Sequence, residues 1–224
     1  MFGNSRAVTS NQEDLHPALA STVRRHLAHP WRAPVGDHDR DAFARARAWV
    51  GDSQRPLILD SGCGTGRSSV SLARQYPQAL VLGLDQSAHR LERAVRRFEL
   101  PTNLLLLRTD CAGFWRLAEA AEWRPWRHYM LYPNPWPKSA HLKRRWHGHP
   151  VFPHLLALGG QLILRTNWAL YAREMAEALA VAGRAGSLGE LTEQGEPLTD
   201  FEDKYRHSGQ ALWELKAELA LNGR

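Results

Sequence analysis

The sequence predicts an α/β fold with a doubly wound, mostly parallel sheet. Short apolar segments alternate along the chain with segments of helical length and periodicity, which is the pattern that strands joined by crossover helices produce. A chain of 224 residues with 43% hydrophobic composition is long enough to bury one full core. We therefore expect one main domain over residues 41–224, preceded by a partly flexible N-terminal arm over residues 1–40.

The predicted elements follow in chain order. The arm is expected to lie apart from the core, because Pro30, Pro34 and Gly36 would interrupt a helix begun near Leu19. A first helix is predicted over residues 40–50. Predicted strands cover residues 56–60, 79–85, 103–110, 128–133 and 161–166, and predicted helices cover 67–76, 88–98, 112–121 and 169–182, with a basic helical stretch after the fourth strand. The last segment, residues 209–219, fits a strand or a helix.

The basic residues are not spread evenly along the chain. The formal net charge is +6, and Lys138, Lys143, Arg144 and Arg145 lie within eight positions. Such a cluster indicates a polyanionic partner, with Arg24 and Arg25 extending it, although a solvated helix face has the same composition.

The rest of the composition indicates a soluble, cytoplasmic protein. Cys63 and Cys111, in a chain without an apolar signal segment, favour a reducing compartment over a disulfide framework. No run approaches the ~18 apolar residues that a membrane span needs. Four histidines lie between residues 141 and 154, but neighbouring cations would repel a metal ion and no Cys or carboxylate is close in sequence. We therefore expect no metal site.

The first predicted strand runs directly into a glycine-rich loop, which reads D-S-G-C-G-T-G-R over residues 60–67. Its glycines, Gly62, Gly64 and Gly66, let the backbone turn sharply and let a ligand approach the main chain. A dinucleotide fingerprint would need another glycine at position 67, where this chain has Arg67. The pattern G-x-G-x-G therefore favours S-adenosylmethionine as the ligand.

Three carboxylates follow successive predicted strands, namely Asp60, Asp85 and Asp110. Because the carboxyl ends of parallel strands form one edge of the sheet, we expect these side chains to converge on the ligand. Asp85 is expected to accept from both ribose hydroxyls and Asp110 to meet the adenine amino group. Asp60 is expected to offset the positive charge of the amino group and the sulfonium.

The fourth predicted strand ends in Y-P-N-P-W-P-K, residues 132–138. Each proline restricts φ and prevents further strand pairing, so the loop can hold Asn134 and Trp136 in one geometry. Asn134 should point towards the reacting centre, and Trp136 offers a flat face to a base or a methyl sulfonium. The alternative is a rigid proline turn with a packed Trp.

The chain resembles the bacterial tRNA (guanine-N7-)-methyltransferase family in four segments, which are LILDSGCGTG, YPNPWPKSAHLKRRW, RTNWALYAREM and LTDFEDKYRHSGQALWEL. NSRAVTSNQ also resembles the N-terminal arm of that family. The glycine loop is shared by many methyltransferases, whereas the segment of Pro, Trp, Lys and Arg together with T-x-F-E is specific. The resemblance implies a Rossmann-like class I methyltransferase fold, S-adenosylmethionine as cofactor, and tRNA as partner. It also implies methyl transfer to N7 of the variable-loop guanine. The expected oligomeric state is either a monomer or a homodimer.

The resemblance implies roles for individual residues. Asp60, Asp85 and Asp110 match cofactor contacts of the family, beside the loop glycines 62, 64 and 66. Asn134 stands where the family has an essential Asp in P-D-P-W, and is the candidate catalytic residue and a further cofactor contact. The candidate substrate-binding residues are Lys138, Lys143, Arg144, Arg145, Asn167 (again in place of an Asp), Thr199, Asp200, Phe201 and Glu202.

Guanine N7 carries a free lone pair, so methyl transfer to it requires no general base. Catalysis would rest on holding N7 in line with the methyl group and on groups that tolerate the developing positive charge. The two amides, Asn134 and Asn167, either slow this reaction by weakening charge-assisted hydrogen bonds or change the base that is accepted, while Glu202 remains as a carboxylate for the guanine edge. A small-molecule methyltransferase and a cofactor- or RNA-binding homologue without turnover are the other open functions.

Overall fold

The computed structural model describes residues 5–29, 31–192 and 195–220, and its centre is a seven-stranded sheet. The strands are β1 (Leu57–Ser61), β2 (Leu80–Asp85), β3 (Leu104–Arg108), β4 (Arg127–Leu131), β5 (Gln161–Thr166), β6 (Gly186–Glu190) and β7 (Trp213–Glu218). They are ordered β3-β2-β1-β4-β5-β7-β6. The first five are mutually parallel, and β7 runs antiparallel to β5 and β6. The predicted doubly wound α/β fold is confirmed.

Eight helices in the described ranges flank this sheet. They are α1 (Leu19–Ala28), α2 (Asp37–Val50), α3 (Arg67–Gln75), α4 (Ala88–Arg97), α5 (Cys111–Ala120), α6 (Phe152–Ala157), α7 (Ala169–Val181) and α8 (Asp200–His207). The basic stretch after β4 was expected to be helical, and it forms two short 3₁₀ segments, Ser139–Arg144 and Trp146–Gly148.

The core has two layers, one on each face of the sheet. Leu57 and Leu59 of β1 face the larger cluster with α1, α2, α5, α6 and α7, whereas Ile58 faces the smaller cluster with α3. Every residue of β1 and β2 is buried. This two-sided burial explains why these strands read as continuous apolar runs rather than alternating patterns.

Part of the expected N-terminal arm belongs to the core. Leu19 and Val23 of α1 are 1% and 0% exposed and pack in the larger cluster. The proline and glycine signals after this helix mark its end and do not prevent it, because α1 is complete at Ala28. Residues 1–4 and Pro30 lie outside the described residues, as do residues 193–194 and 221–224.

Candidate active site

The loops that follow β1, β2, β3 and β4 leave the same edge of the sheet, because these four strands are parallel neighbours. The glycine loop follows β1 and the proline loop, residues 132–138, follows β4, so the two lie side by side. In open α/β sheets this edge is where ligands bind. Most of the predicted site residues therefore start from one rim.

The glycine loop uses three left-handed backbone conformations, with φ of 81° at Gly62, 58° at Gly64 and 74° at Gly66. A Cβ at Gly66 would lie 2.7 Å from the Cβ of Ala94, so this glycine allows α4 to pack closely. A Cβ at Gly62 or Gly64 would meet nothing within 4 Å. The backbone around these two glycines therefore borders open space that a ligand can enter.

Asp85 connects the glycine loop to the end of β2. Its Oδ2 accepts a hydrogen bond from the Gly64 N–H at 2.9 Å, and its Oδ1 accepts from the Ser87 N–H at 2.8 Å. Arg90 lies 3.6 Å from Oδ2. The carboxylate is thus held beside the loop, where we expected the ribose-binding acid.

Asp60 lies beneath the loop and does not line the open space. It is 1% exposed, and its Oδ2 accepts hydrogen bonds from the hydroxyls of Ser68 and Ser69 at 2.6 Å each. Burial raises the pKa of Asp60 to about 6, with the two hydroxyls acting in the opposite direction. Its expected effect on a cationic ligand is therefore electrostatic, without direct contact.

Asp110 caps the N-terminus of α5, and its Oδ1 accepts from the Ala112 N–H at 3.3 Å and from Gln86 at 3.2 Å. Burial raises the pKa of this carboxyl above its usual value. The sequence did not reveal that Asp39 of α2 holds the backbone of Asp110 in place. That buried carboxylate accepts from the Asp110 N–H at 2.8 Å and from the Thr109 hydroxyl at 2.7 Å. These two donors lie about seventy positions away from Asp39, so no local pattern could have indicated the contact.

The proline loop has two non-glycine residues in the left-handed region, Tyr132 with φ 51° and Trp136 with φ 45°. Such conformations are unfavourable for residues with a Cβ and need support from their surroundings. Asn134 between them is exposed, and its Oδ1 accepts a long hydrogen bond, 3.4 Å, from the Trp136 N–H. The candidate catalytic amide is therefore accessible at the rim.

The basic cluster divides into exposed and buried members. Lys138, Lys143 and Arg144 are accessible to solvent, and the Arg144 guanidinium lies 4.7 Å from the centre of the Trp136 ring. Arg145 was expected to bind phosphate, and this prediction is wrong because its side chain is 0% exposed and paired with Glu174. Three of the four cations remain available to a polyanion.

Asn167 follows β5 and is linked to Ser5 through the side chain of Gln210. Its Nδ2 donates to Gln210 Oε1 at 2.8 Å, and Gln210 Nε2 donates to the Ser5 carbonyl at 2.8 Å. A carbonyl oxygen can only accept, so Gln210 must direct its amide nitrogen at Ser5 and its oxygen at residue 167. Position 167 therefore needs a donor, which Asn provides and an ionised Asp does not.

The T-D-F-E element begins α8, with Thr199 as N-cap, its hydroxyl accepting from the Glu202 N–H at 2.9 Å. Asp200 was expected to bind substrate; its side chain is 39% exposed, and donors of the protein already bind its carboxylate. Its carboxylate accepts from the Thr65 hydroxyl at 2.9 Å, from Arg67 at 3.2 Å and from Arg97 at 2.6 and 3.1 Å. The start of α8 is therefore joined to the glycine loop.

Phe201 and Glu202 have opposite environments. Phe201 is 52% exposed and remains accessible to a substrate. Glu202 was expected at the guanine edge, but it is 0% exposed and accepts from Arg165 at 3.1 and 3.2 Å and from Arg206 at 2.6 Å. Its carboxylate is occupied by two guanidinium groups, so a structural role replaces the expected base contact.

Neither a metal cluster nor a membrane span is found in the described ranges. No three His, Cys, Asp or Glu side chains there are grouped to hold a metal ion. None of the helices there is long and apolar enough to cross a membrane.

Comparisons with known proteins agree with this geometry. A family model described as "Putative methyltransferase" matches residues 54–215. The tRNA (guanine-N(7)-)-methyltransferase of Nocardia farcinica (strain IFM 10152) is 32% identical, over 93% of this chain and 79% of that protein. The protein of the same name from Treponema pallidum (strain Nichols) is 31% identical, over 82% and 72% respectively. That from Nitrosococcus oceani is 28% identical over 99% of this chain and 100% of its own length.

Two solved structures share the fold. The antibiotic-resistance methyltransferase Kmr has a TM-score of 0.56 at 19% identity, and the alignment covers 81% of this chain and 94% of that one. The 16S rRNA methyltransferase KamB has a TM-score of 0.55 at 20% identity, with coverage of 83% and 94%.

Proposed function

The chain belongs to the bacterial tRNA (guanine-N(7)-)-methyltransferase family, and from this premise we propose that it methylates N7 of the variable-loop guanine of tRNA. S-adenosylmethionine is the proposed methyl donor. The observation that carries the proposal is the open backbone at Gly62 and Gly64, anchored by Asp85 and lying next to the proline loop. Because the proposed substrate is tRNA, the proposed location is the cytoplasm.

The residues at the rim fit this donor. The two open glycines allow a methionine or ribose group to approach the main chain, and Asp85 supplies a carboxylate for the ribose hydroxyls. Asp110, after β3, is the proposed partner of the adenine amino group, and buried Asp60 would add negative charge without direct contact. When bound, S-adenosylmethionine supplies an electrophilic methyl group.

The acceptor side needs orientation more than proton transfer. Guanine N7 attacks with its free lone pair, so the chain's task is to hold the base and to accommodate positive charge on it. Asn134 offers one exposed acceptor oxygen at the rim, and Phe201 and Trp136 offer ring faces. Lys138, Lys143 and Arg144 remain free to contact phosphates.

Mass spectrometry of nucleosides tests the proposal. Unmodified tRNA is incubated with the protein and methyl-labelled S-adenosylmethionine, then digested; we expect labelled 7-methylguanosine. A transcript with adenine in place of the variable-loop guanine is the control and should gain no label. Label on another nucleoside would show that the protein methylates a different base. Binding of tRNA without any label would show that the protein binds tRNA but does not methylate it.

The exposed cations carry a prediction about tRNA binding. Replacing Lys143 and Arg144 together with alanine should weaken tRNA affinity and reduce the slope of log affinity against log salt by about 1 to 2, because each phosphate contact contributes roughly 0.7 to 0.9 to this slope. Filter binding at several salt concentrations measures it. Arg45 and Arg47, exposed on α2, form the matched control pair and should leave the slope unchanged when replaced with alanine. An unchanged slope in the first variant would show that this surface does not touch phosphate.

The two amides should respond differently to restoration of a carboxylate. Asn134→Asp introduces charge at an exposed position beside the base, and charge-assisted hydrogen bonds are roughly twice as strong as neutral ones. We expect a gain of about tenfold in kcat, from about 1.4 kcal/mol. Asn167→Asp should give no gain and should lower Tm, because Gln210 must then turn away from Ser5 to donate. Equal gains in both variants would contradict this distinction.

A further inference from the structure

Arg145 is a fully buried cation whose guanidinium is directed at the backbone of the proline loop. Its Nε and Nη2 each donate to the Trp136 carbonyl at 3.2 Å, and Nη2 also donates to the Lys138 carbonyl at 3.3 Å. Its Nη1 donates to Glu174, which is also 0% exposed. The guanidinium lies 5.0 Å from the centre of the Trp168 ring. One side chain thus joins the loop to α7.

These bonds act on the most unusual backbone of the loop. Trp136 has φ of 45°, a conformation that a residue with a Cβ adopts only when neighbouring groups enforce it. Its carbonyl receives two of the Arg145 donors, and the next carbonyl that Arg145 reaches is that of Lys138. Asn134 precedes this bonded stretch by two residues and bonds to the Trp136 N–H. Arg145 is therefore bonded directly to the stretch that follows Asn134 and includes Lys138.

The N-terminal segment, residues 10–16, completes this arrangement from the other side. Gln12 accepts from Arg145 Nη1 at 3.1 Å and donates to Glu174 Oε1 at 2.7 Å. The Ser10 hydroxyl donates to the Pro137 carbonyl at 2.5 Å, and Asn11 accepts from the Ser139 N–H at 3.0 Å. Glu174 also accepts from the His16 N–H at 3.0 Å. The segment therefore bonds both to the loop and to the ion pair that supports it.

The donor geometry requires arginine here. Arg145 donates to four oxygen acceptors through three nitrogens in one plane, which a lysine ammonium cannot reproduce. Glu174 neutralises the charge, and its pKa stays below the usual value: burial acts to raise it, but hydrogen bonds from His147 and Gln12 and the charge of Arg145 outweigh this. The pair is thus a charged, directional support and not a surface contact.

We propose that Arg145 and Gln12 are positioning residues that hold the proline loop in its productive conformation, so that the N-terminal segment is part of the catalytic unit. This rests on the proposed function, methyl transfer to tRNA. Arg145 acts through the carbonyls of Trp136 and Lys138, and Gln12 acts through Arg145 and Glu174.

The test compares Gln12→Ala and Arg145→Lys with Arg173→Ala in the full chain. Arg173 is the matched control, because it precedes Glu174 on α7 and its side chain forms an exposed ion pair with Asp14 at 2.8 Å. We expect Gln12→Ala to lower kcat about tenfold, with the S-adenosylmethionine dissociation constant and the salt slope of tRNA binding within twofold of wild type. Arg173→Ala should retain wild-type kcat.

A readout independent of activity is hydrogen exchange by mass spectrometry. In Gln12→Ala and Arg145→Lys, the peptide covering residues 132–139 should exchange at least about tenfold faster, while the peptide over β2 should not change. General destabilisation would accelerate both peptides. If Arg145→Lys kept both wild-type kcat and wild-type exchange protection, Arg145 would only neutralise the charge of Glu174 and would not position the loop. If Gln12→Ala kept wild-type exchange protection, the N-terminal segment would not take part in positioning the loop. If wild-type protein makes no 7-methylguanosine, the proposed function fails, and the exchange experiment still decides the positioning.

Discussion

Replacing Asp85 with alanine should weaken S-adenosylmethionine binding by at least about a hundredfold. The carboxylate accepts from the N–H groups of Gly64 and Ser87, so the variant loses the bond that holds the glycine loop against β2. It also loses the proposed acceptor for the ribose hydroxyls. Hydrogen bonds to a charged group contribute about 1.5 to 3 kcal/mol each, and a combined loss of about 3 kcal/mol corresponds to a hundredfold in affinity.

Calorimetric titration with S-adenosylmethionine measures this effect directly, without tRNA. Glu92→Ala is the matched control, since Glu92 is an exposed carboxylate on α4 whose pairing with Arg96 spans 4.0 Å. We expect the control to bind like wild type. Asp85→Asn should fall between the two, because the amide keeps one acceptor oxygen. A near-normal dissociation constant in Asp85→Ala would place the donor elsewhere and end the proposed function in its present form.

The sequence predicted well those strands and helices whose conformation follows from the residues within the element itself. The strands β1 to β5 were located to within about two residues because each contains a short apolar run. In β1 and β2 this run is buried on both faces of the sheet. The last segment, which fitted a strand or a helix, is the strand β7. Its partners β5 and β6 lie elsewhere in the chain, so only tertiary pairing decides its conformation.

Elements without a strong local pattern were missed. The strand β6 spans Gly186–Glu190 and has no buried residue, so nothing in its composition distinguishes it from a loop. The helix α1 was set aside because of the breakers that follow it, although Leu19, Thr22 and Val23 share one buried face. In α8 only Glu202 is buried, so the apolar periodicity that reveals most helices is absent.

The candidate site shows the same division. The glycine loop and Asp85 were predictable because their spacing reflects one continuous strand, turn and helix. The burial of Arg145 and Glu202 was not predictable, since the sequence does not distinguish an exposed charged residue from a buried one. Their partners Glu174 and Arg165 lie 29 and 37 positions away. The charge cluster therefore contains three accessible cations and one buried cation, Arg145, and the sequence alone did not separate them.

The contacts of α8 connect the acceptor and donor sides of the proposed site. Asp200 binds Thr65 within the glycine loop, and Arg67 and Arg97 bind the same carboxylate. Burial acts to raise the pKa of Asp200, but the hydrogen bonds from Arg97 and Thr65 lower it below the usual value, so the contact stays charged. Two residues further on, Glu202 binds Arg165 at the end of β5. The T-D-F-E element is thus held in place by its polar side chains, and the Phe201 side chain is 52% exposed.

Glu202→Ala should strongly destabilise the fold, lowering the free energy of unfolding by roughly 3 to 5 kcal/mol. The wild-type carboxylate is 0% exposed and pairs with Arg165 and Arg206, whose side chains are 17% and 13% exposed. Its removal leaves two poorly solvated guanidinium groups without their shared partner, although Arg165 keeps Glu214 at 2.8 Å. Urea unfolding followed by circular dichroism measures the loss.

Phe201→Ala is the control for this experiment, because it alters the neighbouring, exposed side chain of the same element. We expect it to change stability by less than about 0.5 kcal/mol, as for most surface substitutions, and to lower tRNA methylation if the ring stacks on the base. The two variants therefore separate the two possible roles of the element. If Glu202→Ala were as stable as wild type and lost only methylation, its carboxylate would contact the guanine directly, and the ion pairs with Arg165 and Arg206 would have to open when tRNA binds.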